Sequence, residues 1–386
     1  MDFELTEEQQ MIRKMVRDFA EKEIMPIAQE TDKTGEFPWE TIRKMGPLGL
    51  LGLPIPEEYG GAGADNVSLA IALEEIARAC GSTAITLDAH TSLASEPIYL
   101  FGTEEQKQKY LVPLARGEKL GAFGLTEPEA GSDAGGTKTR AVLDGDEWVI
   151  NGQKVLITNG SIAGVVVITA VTDPAKGTRG ISSFIVEKGT PGFRPGRDEE
   201  KMGLKGSVTS ELFFEDCRVP KENLLGQEGQ GFKQFLIILD GGRVAIAAMA
   251  LGLAQGAFEK AVAYSKERVQ FGQPIANFQA IQWMIADMAT EIDAARLLIY
   301  RAAWLKDKAV STSKGVRFTK EAAMAKMYAS ETAERVCYKA VQIHGGYGYT
   351  KEYDVERMYR DQRLCTIGEG TSEIQRLVIA RQVLRA

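Results

Sequence analysis

The chain contains 386 residues, enough for roughly two to three domains, which excludes a small scaffold held together by disulfides. Hydrophobic residues make up 44% and charged residues 26%, as in folded globular proteins rather than disordered ones. The formal net charge is −7 and no long basic run occurs, so the bulk electrostatics do not favour nucleic acid or an anionic membrane surface as a partner.

Cysteine and histidine are too scarce to organise a metal centre. The 4 cysteines are widely spaced without a CxxC pair, which argues against a zinc site and favours a reducing compartment. With only 2 histidines, His90 and His344, acid–base chemistry is expected to rest on carboxylates. The first residues resemble neither a secretory signal nor a transit peptide, and no uncharged apolar stretch approaches about 18 residues. A cytoplasmic protein without a membrane span is expected.

The first third of the chain has the pattern of helices. Thr6 and Gln9 form a predicted capping box. Apolar residues then recur at spacings of three and four, as on one buried helix face: Ile12, Met15, Val16 and Phe19. Residues 46–66 are rich in glycine and proline and are predicted to form a loop, after which a helical pattern continues from Asn66 toward Leu120.

Short β-rich runs follow, separated by turn residues, at 147–150, 155–158, 165–169, 184–186 and 212–214. The pairs Asp144-Gly145 and Asn151-Gly152 are typical of two-residue hairpin turns. Because parallel strands would need a helical crossover, this spacing predicts an antiparallel sandwich or barrel.

The last third returns to helical periodicity. One long seam has alternating spacings of three and four, at Phe278, Ile281, Ile285, Met288, Ile292, Ala295 and Ile299. A second long helix is predicted over 316–343 and a third after the glycine-rich turn 368–370. The predicted fold is α+β but mainly α, with a helical domain at 1–120, a central β domain at 121–231 and a helical domain at 232–386.

Four segments together resemble the acyl-CoA dehydrogenase family of flavoproteins, particularly its short-chain or butyryl-CoA members. They are FGLTEPEAGSD at 123–133, ERVQFGQPI at 267–275, AVQIHGGYGY at 340–349 and MYRDQRLCTIGEGTSEIQRLVIARQVL at 358–384. The resemblance implies that the last domain is a four-helix bundle. It also implies a homotetramer that binds FAD and acyl-CoA and passes electrons to an electron-transfer flavoprotein.

Glu369 is the main candidate for catalysis. From the residues alone, a carboxylate between Gly368 and Gly370 just before a helix is more often part of a solvated loop. The resemblance implies instead that Glu369 removes the α-proton of an acyl-CoA while a hydride leaves the β-carbon for the flavin, giving a 2-enoyl-CoA. Burial beside an acyl chain would raise the pKa of this carboxyl group toward that of a useful base. By the same resemblance, the backbone N–H of Glu369 helps to stabilise the thioester oxygen.

The resemblance also assigns binding residues. FAD would contact Phe123, Leu125, Thr126, Ser132, Leu156, Ile157, Thr158, Arg268, Phe271, Gln279, Gln342, Gly345, Gly346, Thr371 and Ser372. The acyl-CoA would contact Ser132, Asp240, Arg243, Gly368 and Gly370. Without the resemblance, 126–133 would be an ordinary turn, Arg268 a solvated helix end, and Asp240 with Arg243 an internal ion pair on one helix face.

Four positions narrow the expected substrate. Gly242 stands where isovaleryl-type enzymes carry their base, and Ala84 where glutaryl-type enzymes hold a second carboxylate with an arginine. Gly368 replaces a tyrosine common in straight-chain members, and Asp88 an apolar or small residue. A branched or alicyclic acyl group (cyclohexane- or cyclohexene-carboxyl) is therefore a hypothesis, with Asp88 contacting it as a tentative second base. An Asp88 that only faces a helix end or an arginine is the simpler alternative. An oxygen-using oxidase and a cofactor-free binding or scaffold protein remain alternative functions.

Overall fold

The computed structural model describes residues 3–311 and 317–385, and their first third is helical. Thr6 caps the first helix, and the predicted capping box with Gln9 is confirmed by both of its hydrogen bonds. The helices are α1 (Glu7–Phe19), α2 (Ala28–Thr34), α3 (Trp39–Met45), α4 (Asn66–Ala79), α5 (Gly81–Asp88), α6 (Glu96–Phe101), α7 (Glu104–Gln106) and α8 (Val112–Ala115). Wider π-helical turns interrupt the α-helical pitch at Ala20–Ile24, Ala89–Ser95 and Lys107–Leu111.

The middle of the chain forms one main sheet, in the strand order β6-β7-β3-β2-β4-β5-β8, with β1 against β4. The strands are β1 (Gly121–Gly124), β2 (Arg140–Asp144), β3 (Glu147–Thr158), β4 (Val165–Val171), β5 (Ile181–Glu187), β6 (Phe193–Asp198), β7 (Thr209–Pro220) and β8 (Leu224–Leu225). Most neighbours are antiparallel, as predicted. The central β domain between two helical domains is confirmed.

Two pairings depart from the antiparallel expectation: β1 runs parallel to β4, with Gly121 opposite Val165, and β2 meets β4 in parallel at Arg140 and Val171. A parallel pair requires a connection long enough to return the chain to the same end of the sheet. Here the β2–β3 hairpin and its flanking loops provide that connection, so no helix is needed. The prediction failed because it allowed only a helical crossover.

The two hairpin signals have different outcomes. The turn at Asp144-Gly145 joins β2 to β3 as predicted. The prediction of a turn at Asn151-Gly152 is wrong, since β3 continues through both residues with a β-bulge between Ile150 and Gly152. A Cβ atom at Gly152 would lie 2.4 Å from the hydroxyl oxygen of Thr139. The glycine therefore permits close packing within the sheet rather than a chain reversal.

The last third contains long helices, as the seam predicted. They are α9 (Gly231–Glu267), α10 (Gln279–Ser311), α11 (Thr319–His344), α12 (Val355–Asp361) and α13 (Ser372–Leu384), with a small hairpin of β9 (Val269–Gln270) and β10 (Gln273–Pro274). Helices α9, α10 and α11 pack together and α13 packs on α11. Residue 316, the predicted start of the second long helix, lies outside the described residues. Met288, Ile292, Ala295 and Ile299 of the seam are buried.

Helix α9 is the centre of the fold. It is long and apolar enough to cross a membrane by composition, but 78% of its apolar window is buried inside the protein. The main hydrophobic core joins α9 to α4, α10 and α11 and so unites the two helical regions. A second core lies within the sheet, and a third lies where the sheet meets the helices α6 and α8. The packing of α9 accounts for its apolar surface without a membrane.

A buried ion pair fixes the loop that follows β1. Lys154 is fully buried in β3, and its Nζ donates to the Glu127 carboxylate at 2.7 Å and to the carbonyl of Leu125 at 3.2 Å. Glu127 also accepts hydrogen bonds from the backbone N–H groups of Lys138 and Thr139. Burial lowers the pKa of Lys154 to about 8, and the adjacent carboxylate opposes that shift. The pair therefore ties both ends of the 125–139 loop to the sheet.

Replacing this lysine tests how much the loop depends on it. We expect Lys154→Met to lower the free energy of unfolding by about 3–5 kcal/mol, because Glu127 would remain buried without its cation. Urea unfolding measures the effect. Lys138→Met is the control, since its ion pair with Glu129 is exposed on both sides and should contribute about 0–1 kcal/mol. Equal effects of the two variants would contradict this account.

Candidate functional site

Glu369 lies in a left-handed turn that immediately precedes α13. Its φ is 54° and that of Gly370 is 95°, a backbone region that costs a non-glycine residue about 1–3 kcal/mol. Thr371 caps the helix, its hydroxyl accepting from the backbone N–H of Ile374. Although Glu369 was a plausible solvated loop residue, its Oε2 atom is buried and makes no regular hydrogen bond among the described residues. The turn thus directs a carboxyl group into the protein.

Asp88 provides a second carboxyl group at the same place. It is the last residue of α5, it is fully buried, and it lies within hydrogen-bonding reach of Glu369. Neither of its oxygens makes a geometrically regular hydrogen bond among the described residues, and the Ser92 hydroxyl is the other polar neighbour. Two carboxyl groups that lie side by side in a buried site cannot both ionise easily. The pair must share a proton.

Burial decides where that proton resides. Desolvation is the largest influence on both groups and raises the pKa of Asp88 and of Glu369 above their ordinary values. Asp88 is completely enclosed, whereas the rise at Glu369 is opposed by three nearby cations. The uncharged form is therefore favoured at Asp88, whose carboxyl O–H is then able to donate toward the Glu369 carboxylate. Glu369, the predicted base, is therefore the more readily ionised of the two carboxyl groups, and Asp88 faces Glu369 rather than only a helix end or an arginine.

Three cations surround the carboxyl pair. Arg243, Lys306 and Lys326 all act to lower the pKa of Glu369. Lys306 donates to Glu96 at 2.8 Å, and Arg243 donates to Asp240 at 2.6 Å. All three cationic side chains are nearly or fully buried. The site therefore holds its charges away from bulk water, where they interact more strongly.

The predicted acyl-CoA residues are only partly brought together. Asp240 and Arg243 form the internal ion pair that was the simpler alternative, but Arg243 keeps a buried Nε without a partner among the described residues. Gly368 and Gly370 flank Glu369, so they lie at the site by chain connection. Ser132 is exposed on the loop after β1, and no contact with the carboxyl pair is recorded for it.

The predicted FAD residues fall into three groups. Those of the β domain are Phe123, Leu125, Thr126, Ser132, Leu156, Ile157 and Thr158. Leu156 is 60% exposed with a positive φ, whereas the side chain of Ile157 is buried in the sheet core. Ile157 could therefore offer a ligand its backbone but not its side chain. Thr371 and Ser372, the second group, line a surface cavity together with Arg335 and Arg363.

The third group lies at the exposed end of the helical region, at Arg268, Phe271, Gln279, Gln342, Gly345 and Gly346. Arg268, Gly345 and Gly346 line a cavity of about 510 Å³ whose wall includes Tyr264 and Tyr347. The guanidinium of Arg268 lies 5.5 Å from the ring centre of Tyr347, so Arg268 is more than a solvated helix end. Phe271 is 93% exposed. The structure records no contact between this group and the β-domain group.

These residues fit a large flavin nucleotide. The hydroxyl of Ser372 is buried at the start of α13 and has no partner among the described residues, which leaves a donor at a helix N-terminus, where anionic groups are favoured. An exposed leucine and phenylalanine and a cavity with aromatic walls offer apolar surface for flat rings. Both features match the chemistry of FAD.

Several residues of the site were missed from the sequence. Lys306, Glu96, Lys326 and Gln375 carry charge or hydrogen bonds around Glu369. The first three lie outside the four family segments, and Gln375 lies within the last of them but was assigned no role. Lys326 had one usable signal, since it interrupts a stripe of small residues at spacings of three and four: Ala322, Ala329 and Ala333. A cation on such a buried stripe indicates a specific partner.

Comparison with known proteins identifies the family of the chain. Models of the acyl-CoA dehydrogenase N-terminal, middle and C-terminal domains match residues 6–118, 122–217 and 229–384. The chain is 60% identical to a probable acyl-CoA dehydrogenase of Bacillus subtilis and 55% identical to a short-chain-specific acyl-CoA dehydrogenase of Clostridium acetobutylicum, in each case over 100% of both chains. It is 51% identical to a subunit of the caffeyl-CoA reductase–Etf complex of Acetobacterium woodii, covering 98% of this chain and 99% of that one.

Solved structures agree as well. Butyryl-CoA dehydrogenase from Megasphaera elsdenii superposes with a TM-score of 0.97 at 49% identity, and a chain solved in work on the electron transferring flavoprotein of Acidaminococcus fermentans with 0.98 at 54%, both covering 100% of each chain. An acyl-CoA dehydrogenase from Bacillus anthracis complexed with FAD has a TM-score of 0.93 at 42% identity, over 99% of this chain and 69% of that one. The chain therefore belongs to the acyl-CoA dehydrogenase family of FAD-binding enzymes.

Proposed function

We propose that this enzyme oxidises a short-chain acyl-CoA to the 2-enoyl-CoA, with Glu369 as the base that removes the α-proton. The observation that carries the proposal is the buried carboxylate of Glu369, turned inward by a left-handed backbone and placed beside Asp88, whose uncharged form is favoured. Burial raises the pKa of Glu369, which makes its carboxylate a stronger base than a solvated one. The relatives specific for short-chain and butyryl substrates support the acyl class.

The charges and free polar atoms of the site indicate a role for each of its residues. Glu369 takes the α-proton and becomes neutral, while developing charge on the thioester oxygen is met by the backbone N–H of Glu369. Bound FAD supplies the acceptor for the β-hydride. Arg243, with a free buried Nε, would meet a polar or anionic group of the coenzyme A moiety. Ser132, on the loop held by Lys154, would meet the thioester from the β-domain side.

The reduced enzyme would pass its electrons to an electron-transfer flavoprotein. Two relatives support this partner, because one is named as a subunit of an Etf complex and another was solved in work on such a flavoprotein. We further propose a cytoplasmic homotetramer. The exposed third group around Phe271 and Arg268 would then complete the FAD site of an adjacent subunit.

The finer proposal is that the pocket admits a branched or alicyclic acyl group. A Cβ atom at Gly368 would meet Ile246 and Leu364 only at ordinary contact distances of 3.5–3.6 Å, so the missing side chain leaves usable space. The buried Ala84 supplies no charge for a dicarboxylic substrate. Because Asp88 and Glu369 share one proton, Asp88 is ionised only in the minor form of the pair in which Glu369 holds that proton. In that form Asp88 could accept a proton from a ring carbon beyond the reach of Glu369.

Removing the base tests the main proposal. Glu369→Gln should retain bound flavin yet lose at least about 10²-fold in the rate of flavin reduction by butyryl-CoA, because general-base catalysis contributes that much or more. Anaerobic bleaching of the yellow flavin measures the rate. In the wild type the rate should fall as the pH drops through the raised pKa of Glu369, since only the carboxylate is active. Glu8→Gln, an exposed glutamate on α1, is the control.

The alternative functions give different results in the same experiments. An acyl-CoA oxidase would evolve peroxide with dioxygen as the sole acceptor, whereas the proposed dehydrogenase requires an electron carrier for turnover. A binding or scaffold protein without a cofactor would be colourless after gentle purification. An active Glu369→Gln enzyme would refute the assigned base.

Gly242 provides a second test, because it keeps space for the base. A Cβ atom there would lie 2.3 Å from Oε2 of Glu369 and 2.8 Å from a methyl group of Leu93. Gly242→Ala should displace the carboxylate and reduce flavin reduction on the order of 10²-fold. It should not strongly lower stability, because alanine favours the helix by up to about 1 kcal/mol and both neighbours are side-chain ends.

A variant of the same helix supplies the matched control. At Gly252 a Cβ atom would lie 2.2 Å from the backbone carbonyl oxygen of Glu74, which cannot move independently of α4. Gly252→Ala should therefore lower the melting temperature while leaving the rate per bound flavin nearly unchanged. If Gly242→Ala behaves like Gly252→Ala, Gly242 is only a packing residue.

The acyl preference is tested at Asp88. We expect Asp88→Asn to affect butyryl-CoA oxidation only mildly, because the amide can still donate a hydrogen bond to Glu369. Oxidation of a cyclohexyl or cyclohexenyl thioester should fall about 10²-fold, since the second base is lost. Flavin bleaching with each thioester gives the two rates. Equal, small effects on both substrates would eliminate the proposed role.

A further inference from the structure

The backbone around Glu369 depends on two side chains that had no role in the predicted site. The carbonyl of Gly370 accepts hydrogen bonds from Nζ of Lys326 at 2.6 Å and from Nε2 of Gln375 at 3.0 Å. The same Nε2 atom lies 3.2 Å from the carbonyl oxygen of Glu369. Both carbonyls precede α13, and no backbone N–H group among the described residues bonds to them. The two side chains therefore hold a turn that the backbone does not stabilise by itself.

The glycine in this turn is required by one of the two contacts. A Cβ atom at residue 370 would lie 2.7 Å from Nε2 of Gln375, and the backbone there already has a φ of 95°. Gln375 is completely buried in the first turn of α13. Its amide therefore reaches back along the chain into space that only glycine leaves free, and so it fixes the direction of the preceding peptide groups.

Lys326 is an unusual residue to find at this depth. Its side chain is fully enclosed on α11, yet no carboxylate in the described parts of the chain lies within ion-pair distance of it. An ammonium group buried with one carbonyl partner is expensive unless nearby negative charge compensates it. Burial lowers the pKa of Lys326 to about 8. The groups that act next most strongly on this pKa are Cys365, Glu369, Arg243 and Glu373. Glu369 is the buried carboxylate among them.

The charges of the pocket balance around this lysine. Lys306 is paired with Glu96, and Arg243 is paired with Asp240. Lys326 is the remaining cation of the three that face Glu369, and the shared charge of the Asp88–Glu369 pair is the remaining anion. The cluster is neutral when the pair holds one proton. Without the charge of Lys326, the pair would bind its second proton at a higher pH.

We propose that Lys326 and Gln375 are positioning residues, which hold the carbonyls of Glu369 and Gly370 and so fix the direction of both the carboxylate and the backbone N–H of Glu369. The charge of Lys326 additionally keeps Glu369 ionised beside Asp88. Neither residue touches the acyl group in this arrangement. This inference rests on the proposed role of Glu369 as base and oxyanion donor.

The test uses a ligand that loses a proton but transfers no hydride. Acetoacetyl-CoA has an acidic proton between its two carbonyl groups, and its enolate absorbs in the near ultraviolet. The pH at which the bound ligand ionises in the FAD-containing enzyme reports the oxyanion donor and the surrounding charge without catalytic turnover. Lys326→Met should raise that pH by about one unit or more, because an adjacent opposite charge shifts such equilibria by 1–3 units.

Gln375→Met keeps the charge of Lys326 and removes the hydrogen bonds of the Gln375 amide to the carbonyls of Glu369 and Gly370. It should raise the same ionisation pH by a smaller amount, and it carries the test if Lys326→Met does not fold. The control is Lys339→Met, also on α11, whose cation pairs instead with Asp287 on the surface of α10. Acetoacetyl-CoA bound to this variant should ionise at the same pH as in the wild type.

The outcomes separate the two proposals. Folded, flavin-loaded Lys326→Met and Gln375→Met enzymes that ionise the ligand at the wild-type pH would overturn the positioning roles. A shift in both variants, absent in Lys339→Met, supports them. A wild-type enzyme that binds acetoacetyl-CoA without lowering its ionisation pH would contradict the proposed role of Glu369 itself.

Discussion

A single negative charge, shared by two carboxyl groups inside the protein, is the constraint on which the site depends. Asp88 and Glu369 approach from separate parts of the chain, and each raises the cost of ionising the other. The fold meets that cost with buried cations on α9, α10 and α11. Helix α9 packs on both α10 and α11, and its small residues leave room for the charged side chains to approach each other. The packing of α9 therefore also determines the electrostatics of the site.

Much of the fold could be predicted because it follows from local periodicity. The capping box at Thr6 and the seam of α10 depend on residues three and four apart, and both are present. The predictions of strand connections failed where one sequence pattern is compatible with two structures. Gly152 provides the open space of a bulge instead of a hairpin turn, and β1 pairs in parallel because a hairpin replaces the expected helical crossover. Neither choice leaves a local signal.

The site divides in the same way. Glu369 could be assigned because a distinctive segment surrounds it, and Asp88 was noticed because it departs from an apolar pattern. Their pairing could not be predicted, since it joins residues from the N-terminal and C-terminal helical domains, far apart in the sequence. Lys326 and Gln375 escaped notice for a different reason. Both act on backbone carbonyls, and a contact with the backbone places no demand on the identity of the residue that supplies the carbonyl.

The π-helical segment Ala89–Ser95 gives chain length a direct influence on the site. It separates Asp88, at the end of α5, from Glu96, at the start of α6, and these residues face Glu369 and Lys306 respectively. In an α-helix each residue turns the chain by about 100°. Losing one residue here would restore the α-helical pitch and rotate one carboxyl group away while the other stayed in place. The number of residues in this segment therefore sets the relative orientation of the two carboxyl groups.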